Sequence, residues 1–206
     1  MKTLTLTLAS LSAAALVASS ASASITAVSG QTILLGTGPA SCTPGSLAGI
    51  NAYAWDEQQG VALTNQVVNM VNNPGTSASP TPGTLTGVYD SHFLHWEAIP
   101  GIIFASGTVT FSAPIDGVIF RTLDLDNTDV PLGFQTTTYP TGFPFRDIGS
   151  SGSMFSINAN VLTFNFQISP VMGVTELRVL TQHVPAPGAV MVAGLAGAAT
   201  LRRKRR

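Results

Sequence analysis

The stretch "MFSINANVLTFNFQIS", Met154 to Ser169, decides the fold class. Its second half places Leu162, Phe164, Phe166 and Ile168 at every other position, so a strand carries all four on one face. Ile157-Asn158-Ala159-Asn160 falls between the two halves and reads as the turn of a hairpin. A helix would need apolar residues three and four apart, and this run does not supply them.

The same period of two recurs to either side. "QTILLG" (Gln31 to Gly36) is a short strand, and "GVALTNQVVNM" alternates Val61, Leu63, Asn65, Val67 and Asn69 against Ala62, Thr64, Gln66, Val68 and Met70. "LTGVYDSHFLHWEA" is a strand-like run with aromatics, and "VTELRVLTQH" is the last strand. "GTVTFSAPIDGVIFRTLDLD" reads as a strand, a break at Pro114 and a second strand. "NNPGTSASPTPGT", from Asn72 to Thr84, is a loop, because Pro and Gly block both helix and ladder. Val130 to Ser153 is a long irregular stretch. Lys, Glu, Arg and Gln, which helical surfaces favour, are scarce. The expectation is an all-β, single-domain antiparallel β-sandwich or jelly roll.

Charge is distributed unevenly. Five of the nine Lys and Arg residues are the last five positions, Arg202, Arg203, Lys204, Arg205 and Arg206. All ten acids lie between Ser24 and His183, opposed there by Arg121, Arg146 and Arg178 alone, a formal charge of 3 − 10 = −7. An acidic domain of this kind disfavours a nucleic-acid partner. The lone Cys42 excludes an intramolecular disulfide.

The two ends read as addresses. "MKTLTLTLASLSAAALVASSASAS" has a basic start, an apolar run from Leu4 to Val17, and small residues at Ala21-Ser22-Ala23. This is the layout of a secretory signal, residues 1–23, with cleavage expected after Ala23. The far end, 184–206, runs "VPAPGAVMVAGLAGAATLRRKRR". Ala189 to Leu201 spans about 20 Å as a helix, short of the roughly 30 Å bilayer core. The terminal cations act as a stop that favours the cytoplasmic side. The expected organisation is a signal helix, an ectodomain over 24–183, and a short membrane helix with a basic tail.

Val184, Pro185, Ala186 and Pro187, followed by a short apolar helix and an Arg-rich terminus, resemble the PEP-CTERM sorting signal of bacterial exported proteins. The family pattern is Pro-Glu-Pro, and here Ala186 stands where the Glu would be. The resemblance implies the inner membrane and an exosortase-like processing enzyme as partners. "AWDEQQGVALT", "VYDSHFLHWE", "GTVTFSAPIDGVI" and "ELRVLT" are similar to a recurring ectodomain of secreted proteins in that group, which carries no catalytic residues to transfer.

Three stretches hold candidate chemistry. In "DSHFLHWE", strand alternation puts Asp90 and His92 on one face and His95 and Glu97 on the other, so no compact metal site forms without distant residues such as His183. In "LDLDNTD", Asp124, Asp126 and Asp129 are candidate Ca²⁺ ligands. An EF-hand loop is excluded, since the sixth position lacks Gly and the twelfth is Gln135. In "AWDEQQG", Trp55, Asp56 and Gln58 offer the stacking ring and polar groups of a sugar-binding surface, with extracellular polysaccharide as the ligand. No Gly-x-Ser-x-Gly elbow is present. The functional expectation is a non-enzymatic, exported structural or interaction protein of the cell surface or extracellular matrix. The alternatives are a carbohydrate-binding module, with or without Ca²⁺ assistance, and a secreted hydrolase using carboxylates such as Asp56, Glu57, Asp90 or Glu97.

Overall fold

A computed structural model describes residues 22–148, 152–167 and 173–184. Residues 1–21 of the expected signal (1–23), residues 185–206 of the expected sorting tail (184–206), and Ile168 and Ser169 of the opening stretch lie outside the described residues, whereas Ser22, Ala23 and Val184 are described.

The strands are β1 (Ile25–Gly30), β2 (Thr32–Leu34), β3 (Ala52–Asp56), β4 (Val61–Val68), β5 (Gly75–Thr76), β6 (Gly83–Glu97), β7 (Phe104–Phe111), β8 (Ile115–Ile119), β9 (Met154–Asn158), β10 (Val161–Gln167) and β11 (Val174–Gln182). One helix, α1 (Thr122–Leu132), follows β8. The protein is all-β in class, as the alternating segments led us to expect.

Two sheets form. One runs β1-β7-β10-β9-β5; the other runs β2-β3-β6-β11-β8, with β4 also paired to β6. All pairings are antiparallel except β2 with β3. The hairpin read from Met154 onward is β9–β10, with Val161 opposite Asn158 and a two-residue turn at Ala159-Asn160. Ala159 adopts φ +52°, and Asn73 holds it there: the Asn73 Oδ1 accepts from Ala159 N at 2.8 Å, and its Nδ2 donates to Ala159 O at 2.7 Å.

The sheets meet through a shared apolar core. Val109, Phe155, Leu162, Phe164 and Phe166 of the first sheet join Leu94, Trp96, Leu177 and Val179 of the second. From Tyr89 to Trp96 the long strand β6 is buried on both faces. Leu94 and Trp96 enter that core, while Tyr89 and Phe93 enter a second cluster with Trp55, Leu125, Leu132, Tyr139 and Leu180. The second sheet therefore carries an outer layer made of α1 and its neighbouring loops.

The helix corrects the reading of "RTLDLD" as the end of a strand. Leu125, Thr128, Asp129 and Leu132 are its buried residues, at the i, i+3, i+4, i+7 spacing of a helical stripe. Neighbouring side chains fix both ends. Asn69 Oδ1 accepts from Phe120 N and Arg121 N at 2.7 and 2.9 Å. Gln58 Nε2 donates to Val130 O and Gly133 O at 3.3 and 3.0 Å, satisfying carbonyls that a helix end leaves open.

Candidate functional site

Alternation along β11 places Glu176, Arg178 and Leu180 on the outer face of their sheet, opposite His95, Phe93 and Ser91 of β6. Under α1 these residues join a network of charges that is almost wholly dry. Arg178 Nε donates to Glu57 Oε2 at 2.7 Å and Nη2 to Glu57 Oε1 at 2.9 Å. Its Nη1 donates to Thr128 Oγ1 at 2.7 Å, and Nη2 also reaches Asp129 Oδ1 at 3.3 Å. The guanidinium lies 4.9 Å from the Phe93 ring centre and 5.4 Å from that of Tyr139. Glu57 accepts further from Tyr139 Oη at 2.5 Å and from Ser91 Oγ at 2.6 Å.

Arg146 repeats the pattern from the irregular segment. Its Nε donates to Glu176 Oε2, its Nη1 to Asp126 and Asp129, and its Nη2 to Asp129 Oδ1 at 3.0 Å. Glu176 Oε1 is 2.9 Å from His95 Nδ1. Both arginine side chains are fully buried.

The electrostatics follow from that burial. Loss of water pushes both guanidinium groups toward losing their charge, but adjacent carboxylates outweigh it: Asp129 and Glu176 at Arg146, Glu57 and Asp129 at Arg178. Each therefore holds its proton more tightly than usual. Burial, then the charge of Glu57, pushes the Tyr139 phenol up. Burial, then Glu176, pushes the Cys42 thiol up as well. Permanently charged guanidinium groups cannot exchange protons in catalysis, and neither the thiol nor the phenol is poised to ionise. What this arrangement can do is pin α1, Glu57 and the Arg146 segment to β6 and β11.

The sequence-derived candidates take different places. Trp55 is wholly buried, its ring 5.0 Å from Phe93, so it presents no face for a sugar to stack on. Asp56 Oδ1 accepts from Ile25 N at 3.1 Å and pairs with His92 Nδ1 at 2.7 Å. Gln58 caps α1. Trp55, Asp56 and Gln58 thus do not converge on a surface groove.

The Ca²⁺ reading is corrected in the same way. Asp124 accepts from Asn69 Nδ2, while Asp126 and Asp129 close on Arg146. A guanidinium stands among the carboxylates that a cation would need, and Asp124 points to a separate partner. Among the described residues, a metal-like grouping occurs elsewhere. Cys42 Sγ, a His95 ring nitrogen and a Glu176 oxygen lie within 4.8 Å of one another. Both oxygens of Glu176 already serve His95 and Arg146.

One arrangement escaped the sequence reading. Asp56, His92 and Thr181 line up as acid, imidazole and hydroxyl, with His92 Nε2 3.0 Å from Thr181 Oγ1. His92 and Thr181 are both buried. Register explains why Thr181 gave no signal: it reaches His92 only through the pairing of β11 with β6.

Three surface depressions among the described residues lie apart from this relay. One of about 460 Å³ is lined by Asn73, Pro114, Asp116 and Ala159 among others. Another of about 350 Å³ is lined by Asp129, Gln135, Thr138 and Tyr139 among others. A third of about 260 Å³ lies by Ser77, Phe120 and Met154. Neither His92 nor Thr181 borders any of these three. No described helix is long and apolar enough to cross a membrane. Compared with protein-family models, curated proteins and solved structures, the chain matches none.

Proposed function

We propose that this is an exported, non-enzymatic structural or interaction protein of the cell surface or extracellular matrix, carried on a β-sandwich domain. In this reading it is held at the inner membrane by its C-terminal segment and released by an exosortase-like enzyme. The observation that carries the reading is the pairing of a secretory layout over 1–23 with Val184-Pro185-Ala186-Pro187, an apolar run and five terminal cations. The domain interior supports it. Its arginines and histidines are matched to carboxylates beneath the surface, which suits a durable scaffold rather than a site that must admit and turn over a substrate.

Cell fractionation tests the address. The full chain is expected in the envelope fraction, and a chain ending at Val184 in the soluble exported fraction. An identical distribution of the two overturns the anchoring role of the tail. Intact protein in the cytosol with Met1 attached overturns export itself.

A further inference from the structure

Residues just before β1 belong to the folded domain. Ala23 is buried, and its backbone N–H donates to Asp90 Oδ2 at 2.5 Å. Asp90 is itself fully buried on β6. Its Oδ1 accepts from Gly60 N at 2.6 Å and pairs with His183 Nδ1 at 2.8 Å, so Ala23 is the described partner of Oδ2. Two residues on, Ile25 N donates to Asp56 of the second sheet. Between them, Ser24 turns the other way: its N donates to Ser112 Oγ at 2.9 Å, and Ser112 N donates back to Ser24 O at 2.9 Å.

This alternation has a physical reason. β1 is the edge of the first sheet, paired on one side to β7 alone. Donors facing away from β7 would be left open along that edge. Asp90 and Asp56 reach from the second sheet and take them, tying the chain start across both sheets. A chain beginning at Ser24 loses the first tie. The buried carboxylate of Asp90 then gives up one of its three partners, and the space of the Ala23 methyl empties.

Resting on the export reading above, we infer that processing cuts between Ala21 and Ser22, not after Ala23, so that Ala23 remains as an N-terminal latch on Asp90. Water hydrolyses the Ala21–Ser22 amide, leaving a carboxylate on Ala21 and an amino group on Ser22. Ser19 and Ala21 then occupy the two positions a signal peptidase reads, and both are small. Ser22 is exposed, so the new charged amino group stays in water while the Ala23 N–H keeps its seat.

Two measurements decide this. The full chain, expressed with its own signal in a bacterial host and recovered from the exported fraction, is weighed intact. A terminus at Ser22 is expected. A terminus at Ser24, or at any other exported start, overturns the inference and leaves export standing. Cytosolic protein keeping Met1 overturns the export reading and this cut together. The latch is then judged by itself, on two chains that both run to Arg206 and begin at Ser22 or at Ser24. The Ser24 chain is expected to melt lower by roughly 5 °C. Equal melting temperatures overturn the latch.

Discussion

Arg178 and Glu57, 121 residues apart, meet in a two-point contact of 2.7 and 2.9 Å with neither side chain touching water. Removing one member of such a pair strands the other charge in a dry interior. Glu57→Gln and Arg178→Met are each expected to lower stability by about 3–5 kcal/mol in urea unfolding. The double variant should lose less than the sum, because neither charge is then left without its opposite. Single losses below about 1 kcal/mol would show that water reaches the pair.

Cys42 is fully buried and its thiol is held protonated, first by burial and then by the negative charge of Glu176. Thiolate is the reactive form. Native protein is therefore expected to resist a thiol reagent such as iodoacetamide at neutral pH. In denaturant the same Cys42 should label at the rate of a free thiol. Rapid labelling of the native chain, read by mass, would place Cys42 at the surface instead.

Ala159 occupies a left-handed conformation, φ +52°, in the β9–β10 turn. That region costs a residue with a Cβ roughly 1–2 kcal/mol, and glycine enters it freely. Ala159→Gly is expected to stabilise the protein by about 1 kcal/mol. Asn73→Ala should destabilise it, since the clamp on both Ala159 backbone groups and on Ile115 O is lost. Thermal melting of the two variants reads both signs.

Asp116 has its carboxyl pushed up from the ordinary value by partial burial. A raised acid favours the folded state while protonated, and that benefit fades as pH rises through the folded pKa. At neutral pH the charged form is thus mildly disfavoured by folding. Asp116→Asn should raise the melting temperature at pH 7 by a small amount, limited by solvent screening. The gain should shrink as pH falls and vanish below about pH 3, where the carboxyl is neutral both folded and unfolded. A gain independent of pH would point to a cause other than charge.

Much of the strand content was legible because apolar residues at alternate positions, as in Leu162, Phe164 and Phe166, tolerate few other foldings. The helix was not. Two of its four buried residues are Thr128 and Asp129, so the stripe that defines it carries polar side chains and shows no apolar period. Those polar residues are buried only because Arg178 and Arg146 meet them, and both arginines arrive from far along the chain. The placing of the sugar and Ca²⁺ candidates was hidden for the same reason. Trp55, Asp56 and Gln58 look like a surface cluster when adjacent in sequence. In the fold they diverge into the core, to His92 and to the end of α1. Partners joined by strand register, such as His92 with Asp56 and His95 with Glu176, leave no trace in local spacing.

Burial of the arginines also governs how the domain meets proteases. Between Thr3 and Leu201 the sequence has no lysine, and its arginines there are Arg121, Arg146 and Arg178. With Arg146 and Arg178 sealed inside, Arg121 alone offers a trypsin-like enzyme a basic residue on the folded surface, and its own N–H is already gripped by Asn69. A trypsin-like protease therefore finds a single exposed basic residue among the described residues, and amine-directed cross-linkers find no lysine side chain there.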